Sequence, residues 1–243
     1  MDMGTKTARL EIVRVPALLE IPGLVHGFER RLPAASPESR DETRRRVAAA
    51  LRGQGQLLSL KQVHGAQVAE APFEGFPEAD AAVASASGLI LGIETADCLP
   101  VLLVDPRRRA VAAAHAGWRG TAAGVAARAV EALVAAGSRP EDLLAALGPG
   151  IGACCYEVGD DLREAFGPES AAFFRPGPRA RPHLDVRAAN RAALVRASVP
   201  AERIHSVDEC TSCRGDLYYS YRRDGAGAGR MISFVGFASS PPA

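Results

Sequence analysis

Two histidines and a cysteine close three apolar runs. His64 ends LLSLKQVH, Cys98 ends LILGIETADC, and His115 ends AVAAAH. Each is followed by a loop former: Gly65, Pro100 after Leu99, and Gly117. If the three runs are neighbouring strands, the side chains converge at one sheet edge. Two imidazoles and one thiolate suit zinc, with Zn–N near ~2.0 Å and Zn–S near ~2.3 Å. Three protein ligands leave a fourth position for water or substrate. The separations of 34 and 17 residues match no compact zinc finger, so the local contexts carry the argument. Asp97 stands beside the thiol, placed to orient a ligand by a hydrogen bond. HAGWRG puts the one tryptophan, Trp118, and Arg119 directly after His115. Trp118 offers a stacking face, and Arg119 a fork for phosphate or carboxylate. The same residues also allow Trp118 as core and Arg119 as a surface charge.

Three further stretches hold reactive types. GPGIGACCYEVG (148–159) crowds glycines around Cys154 and Cys155. Adjacent cysteines are poorly placed to bridge each other, and no standard phosphate-loop order is present. CTSC (210–213) is a C-x-x-C, half of a zinc ribbon, and the 154–155 pair does not supply the other half at usual spacing. Glu209 rather than Pro precedes Cys210, so the zinc deaminase P-C-x-x-C signature is absent. YYSYRRDG (218–225) packs three tyrosines with Arg222 and Arg223. On a strand, those two arginines would face opposite ways, one into a pocket.

The elements that must hold these groups read as a mixture of strands and helices. Strand expectations are 8–15, 24–28, 57–65, 89–94, 100–105, 110–115, 143–147, 203–207 and 231–237. A helix is expected after Ser36-Pro37-Glu38, with Ser36 as N-cap, Pro37 at N1 and Gly53 as its end. A second spans 121–136, capped by Thr121 and stopped by Gly137. Asp160 and Asp185 fit N-caps of two more. The order lacks strict βαβ alternation, so the expected class is α+β, with helices covering sheet faces. Neither the Pro/Arg-rich 167–182 nor GAGAG at 225–229 is long enough to divide domains, so 1–243 reads as one domain.

Composition narrows the partners. The 243 residues carry a net charge of +1, which supplies no large field for nucleic acid or anionic lipid. No run approaches the ~20 apolar residues of a membrane span, and the N-terminus lacks a signal-peptide pattern. A cytoplasmic protein with reduced thiols is expected. Its five cysteines are an odd number in a chain too long to need disulfides.

In this order, KQVHG, ADC.PVLL.D, HAGWRG, LGPGIG..CYEVG and YSYRRDG resemble the YfiH-type family. That family is labelled multicopper polyphenol oxidoreductase and is associated with purine nucleoside phosphorylase activity. The resemblance runs from about His26 to the C-terminus. It implies an α/β/β/α sandwich of mixed sheets, akin to the catalytic domain of cytotoxic necrotizing factor toxins. It also implies zinc on His64, Cys98 and His115, phosphorolysis of adenosine, inosine and 5′-methylthioadenosine, and deamination of adenosine. A role in editing peptidoglycan precursors is also associated with the family. Two departures bear on substrate preference. ERRLPAASP replaces the family's Ser/Thr-Arg-Gly-Gly segment, with Arg31 in the arginine position, and DGAGAGR replaces D-G-x-T-G-R.

Three functions follow for comparison. A zinc enzyme on purine nucleosides would use phosphate clamps from Arg119, Arg222 and Arg31, with Asp97 as proton carrier. Trp118, Cys154 and Arg223 are further candidates for contact with substrate. A metal-independent hydrolase would use Cys98 as nucleophile and His115 as base. A multicopper oxidase needs many imidazoles; the chain has five histidines and no His-x-His. A lone His₂Cys set could still take copper.

Overall fold

The computed structural model describes residues 10–32, 37–178 and 181–239. Two mixed sheets face each other. One runs β1 (Ile12–Val13), β2 (Leu24–Glu29), β13 (Met231–Phe237), β6 (Leu89–Thr95) and β3 (Gln56–Ser59). The other runs β12 (Ile204–Ser206), β9 (Leu144–Leu147), β7 (Leu99–Asp105), β8 (Ala110–Ala116), β5 (Ala81–Ala84) and β4 (Val68–Glu70). A ribbon of β10 (Phe174–Pro176) and β11 (Pro182–Leu184) lies apart. The helices are α1 (Pro16–Leu19), α2 (Arg40–Ala50), α3 (Trp118–Ala122), α4 (Val125–Ala135), α5 (Leu162–Ala165), α6 (Val186–Arg196) and α7 (Tyr221–Asp224).

The layers follow from side-chain alternation along the strands. Leu102, Val104, Val111, Ala113 and Ala82 point inward and meet Phe28, Leu58, Leu91, Ile93 and Val235 of the facing sheet. Val101, Leu103, Ala112 and Ala114 point outward and are covered by Val125, Ala129 and Leu133 of α4 and by Ala189 and Leu194 of α6. Strands buried on both faces read as unbroken apolar runs, and β7 and β8 do so. On the far side, Val47 of α2 and the adjoining Leu51 cover Ile90, Ile232 and Phe234. The result is the expected α/β/β/α sandwich.

Several local expectations change. Only Ile12–Val13 pairs as the first strand, while residues 8 and 9 lie outside the described residues. Ser36 does too; the cap of α2 is Ser39, which forms a reciprocal capping box with Glu42. The 121–136 helix is two helices, because Gly124 sits at φ +80° between them. Thr121 therefore lies inside α3, with Gly117 as its N-cap. Gly137, at φ +95°, does end α4. Asp185 caps α6 through Ala188 N–H. Asp160 does not cap α5; Asp161 occupies that position, without a side-chain bond. Residues 221–224 form one helical turn, capped by Ser220, instead of a strand.

Candidate active site

Strand register brings the three ligand candidates together. Leu99 pairs with Ala116 and Pro100 with His115, so Cys98 falls beside the chain leaving β8. Ala81 pairs with Ala114, which puts Asp80 next to His115. His64 arrives on the loop after β3. One potential ligand atom from each of His64, Cys98 and His115 lies within 4.8 Å of the others. The two imidazoles meet edge to face, with ring centroids 4.8 Å apart. Gly117 makes this approach possible, since a Cβ there would lie 3.0 Å from Cys98 Sγ and 3.2 Å from His64 Cδ2.

The residue that orders the cluster is Asp80, which was not singled out from the sequence. It is fully buried. Its carboxylate accepts the backbone N–H groups of Val63, His64 and Gly65 at 3.1, 2.9 and 2.6 Å. It also accepts His115 Nδ1–H at 2.8 Å, which leaves Nε2 of that ring for an ion. Burial opposes the Asp80 charge, but the bonds from His115, Gly65 and His64 outweigh it and hold its carboxyl below the usual range. An acid placed just before a small-residue strand was the available signal. Among the protein groups alone, burial disfavours the Cys98 thiolate, yet hydrogen bonds from His115 and His64 bring the thiol down to about 6. Burial likewise opposes charge on His115, but Asp80 and Cys98 raise it to about 9. The donor set, its spacing and the Asp80 brace all fit a metal ion.

Asp97 holds loops and does not orient a ligand as expected. Its carboxylate accepts Thr211 Oγ1–H at 2.6 Å, Ser220 Oγ–H at 3.1 Å and Arg222 N–H at 2.6 Å. It sits at φ +87°, and His64 at +64°, a left-handed conformation that Asp and His tolerate better than most residues.

The cluster opens into a pocket of about 480 Å³. Trp118, Arg119 and Arg222 line it as the sequence suggested. Arg119 stacks on Trp118, 4.4 Å from the ring centroid, and has no carboxylate partner among the described residues. Arg222 lies 5.2 Å over Tyr156 and donates to Glu157 O. Arg31, Cys154 and Arg223 are not on the wall. Arg31 donates to Gly215 O and stacks on Tyr219. Arg223 braces Thr211 O and Tyr218 O and pairs with Asp224. Their motifs sit near the pocket, but the side chains turn into loop scaffolding. Tyr156, Tyr221, Arg40, Gln62, Glu94 and Arg230 do line it. Of these, Gln62, Glu94, Tyr156, Tyr221 and Arg230 stand inside stretches already quoted.

Residues 34–238 match the family model described as multi-copper polyphenol oxidoreductase laccase. The chain belongs to this family. A purine nucleoside phosphorylase of Deinococcus radiodurans is 43% identical over 80% of this chain and 76% of its own length. Adenosine deaminase RL5, from an unknown prokaryotic organism, is 41% identical over 74% of each chain. The crystal structure of YlmD from Geobacillus stearothermophilus superposes with a TM-score of 0.83 at 30% identity, covering 96% of this chain and 97% of that one. With that structure this chain shares its fold over nearly its whole length. Among the described residues, no helix is long and apolar enough to cross a membrane.

Proposed function

We propose that this chain is a zinc-dependent purine nucleoside enzyme acting in the cytoplasm as one catalytic unit. Its reactions are phosphorolysis of adenosine, inosine and 5′-methylthioadenosine, and hydrolytic deamination of adenosine to inosine. The observation that carries this reading is the convergence of His64, Cys98 and His115 on a pocket of about 480 Å³ beside an arginine with no described carboxylate partner. The relatives named above support the substrate class.

In phosphorolysis a phosphate oxygen bonds to C1′. The bond from C1′ to the ring nitrogen breaks, its electron pair leaves with the base, and that nitrogen takes a proton. Arg119 and Arg222 hold the anion and offset charge as it shifts. Trp118 and Tyr221 offer aromatic faces to the purine. Burial, and then the nearby Cys98 charge, push the Tyr156 hydroxyl up to about 12, so it faces the pocket as a neutral hydrogen-bonding group. In deamination water adds at the carbon bearing the amino group, and ammonia leaves. When bound, the ion supplies Lewis acidity at the position that His64, Cys98 and His115 leave open. Asp97 holds the backbone of Arg222 at the pocket and ties it to the Thr211 and Ser220 loops.

The Cys98–His115 pair favours a second reading. A thiol near 6 beside an imidazole near 9 is also the charge state of a cysteine nucleophile without metal. Polyphenol oxidation fits less well. Among the described residues only one cluster of potential ligands contains imidazoles, whereas a multicopper centre needs several.

The test is product analysis with adenosine. Adenine release should saturate with phosphate and vanish without it. Inosine should persist without phosphate, and chelation should remove both activities. Turnover that ignores chelators and dies on thiol alkylation would establish the cysteine reading. Oxygen uptake with phenols and no nucleoside turnover would establish the oxidase.

A further inference from the structure

A second cluster stands away from the pocket wall. Cys154, Cys155, Cys210 and Cys213 place their sulfur atoms within 4.8 Å of one another. Cys213 Sγ lies 3.6 Å from Cys154 Sγ and 3.4 Å from Cys155 Sγ. Four thiolates on one tetrahedral ion, at Zn–S near ~2.3 Å, would stand about 3.8 Å apart. A disulfide would need about 2.05 Å, and all four are free thiols.

Packing does not account for the quartet. Cysteine used as a small apolar residue is usually buried, yet Cys154 and Cys213 are exposed and the other two only partly covered. The backbone is arranged for sulfur. Gly152 N–H donates to Cys210 Sγ at 3.2 Å. A Cβ on Gly152 would stand 3.1 Å from Cys154 Sγ and 3.3 Å from Cys210 Cβ. Arg214 N–H closes the C-x-x-C turn on Cys210 O at 3.0 Å. The two loops are far apart in sequence, and among the described residues they are joined otherwise by a bridge between Gly150 and Cys210 and by Thr211 N–H on Gly150 O at 3.1 Å.

We propose that Cys154, Cys155, Cys210 and Cys213 form a closed four-thiolate site for a thiophilic divalent cation, zinc, that staples loop 150–156 to loop 210–213. Four protein ligands leave no open position, which makes the site structural. Soft thiolates select zinc over harder divalent ions. The staple acts on the pocket through its neighbours. Tyr156 follows Cys155 directly, and Thr211, which follows Cys210, holds Asp97.

The experiment is metal analysis of the full-length, untagged chain, prepared with reductant and without oxygen. Native protein should carry two zinc ions per chain. The His64→Ala/Cys98→Ser/His115→Ala variant should keep one, and Cys210→Ser/Cys213→Ser should lose one. If the serine variant does not fold, the first variant still decides. Cobalt loaded into it should give an intense thiolate-to-metal charge-transfer band. Its four remaining cysteines should resist alkylation until a chelator is added. No metal in that variant, with alkylation equally fast with and without zinc, overturns the proposal. So does iron with acid-labile sulfide. Failure of the pocket's zinc reading looks different: the triple substitution would leave the metal count of the native protein unchanged.

Discussion

Asp80 accepts three backbone N–H groups from residues 63–65 and the Nδ1–H of His115, all from a position without solvent. One carboxylate thus sets both the His64 loop and the orientation of the second imidazole. Asp80→Asn would turn an NH₂ toward groups that already donate. We expect metal affinity to fall roughly 10–100-fold, measured by competition with a chromophoric chelator; unchanged affinity would reduce Asp80 to a loop brace. Arg119 belongs to a different part of the proposed chemistry. Arg119→Lys keeps the charge but loses the bidentate fork. Its expected signature is a higher KM for phosphate with zinc content unaltered, and identical phosphate kinetics would remove Arg119 from the anion site. At this scale the sequence exposes ligand types but not their support. His64, Cys98 and His115 stand out because two histidines and a cysteine closing apolar runs are a chemically specific set, although the strand expected over 57–65 stops at Ser59 and leaves His64 on the following loop. Asp80 leaves only a faint signal, an acid just before a small-residue strand, and its role is set once β5 and β8 are paired.

Gly117 shows how an element, rather than a side chain, builds the cluster. It caps α3 where β8 ends, and its missing Cβ is the space filled by Cys98 Sγ and His64 Cδ2 at 3.0 and 3.2 Å. Gly117→Ala puts no strain on a backbone at φ −68°, so its cost falls on the ligands. Zinc content should drop while the melting temperature of the metal-free protein moves by only a few degrees. Full zinc retention would mean that the ligands have room to move. The central strands were legible because apolar runs bounded by turn residues have few other readings. The helix after His115 was not, because an alanine-rich stretch reads as continuous and Gly124 gives no sign of breaking it. The cysteine quartet was hidden for a related reason. Its halves lie on loops remote in sequence, and only the parallel pairing of β9 with β12 delivers residues 150–156 and 210–213 to the same place.

Across the whole molecule, the two sheets share one apolar interior, and His26 lies at its margin. It sits on β2, 3% exposed, and its Nε2 accepts Val15 N–H at 3.3 Å. Burial, then the nearby Arg14 charge, lower it from 6.5 to about 4. The folded chain therefore keeps this imidazole neutral where the unfolded chain protonates it. Its contribution to stability is complete above about pH 6.5, and is lost as pH falls from there to about 4. The full loss is on the order of 3 kcal/mol. His26→Gln keeps an acceptor for Val15 N–H and removes the titration. Denaturant midpoints measured from pH 7.5 to 4 should then decline less steeply in the variant than in the native chain. If the two slopes coincide, His26 does not set the acid limit, and the loss arises from the other groups that titrate in that window.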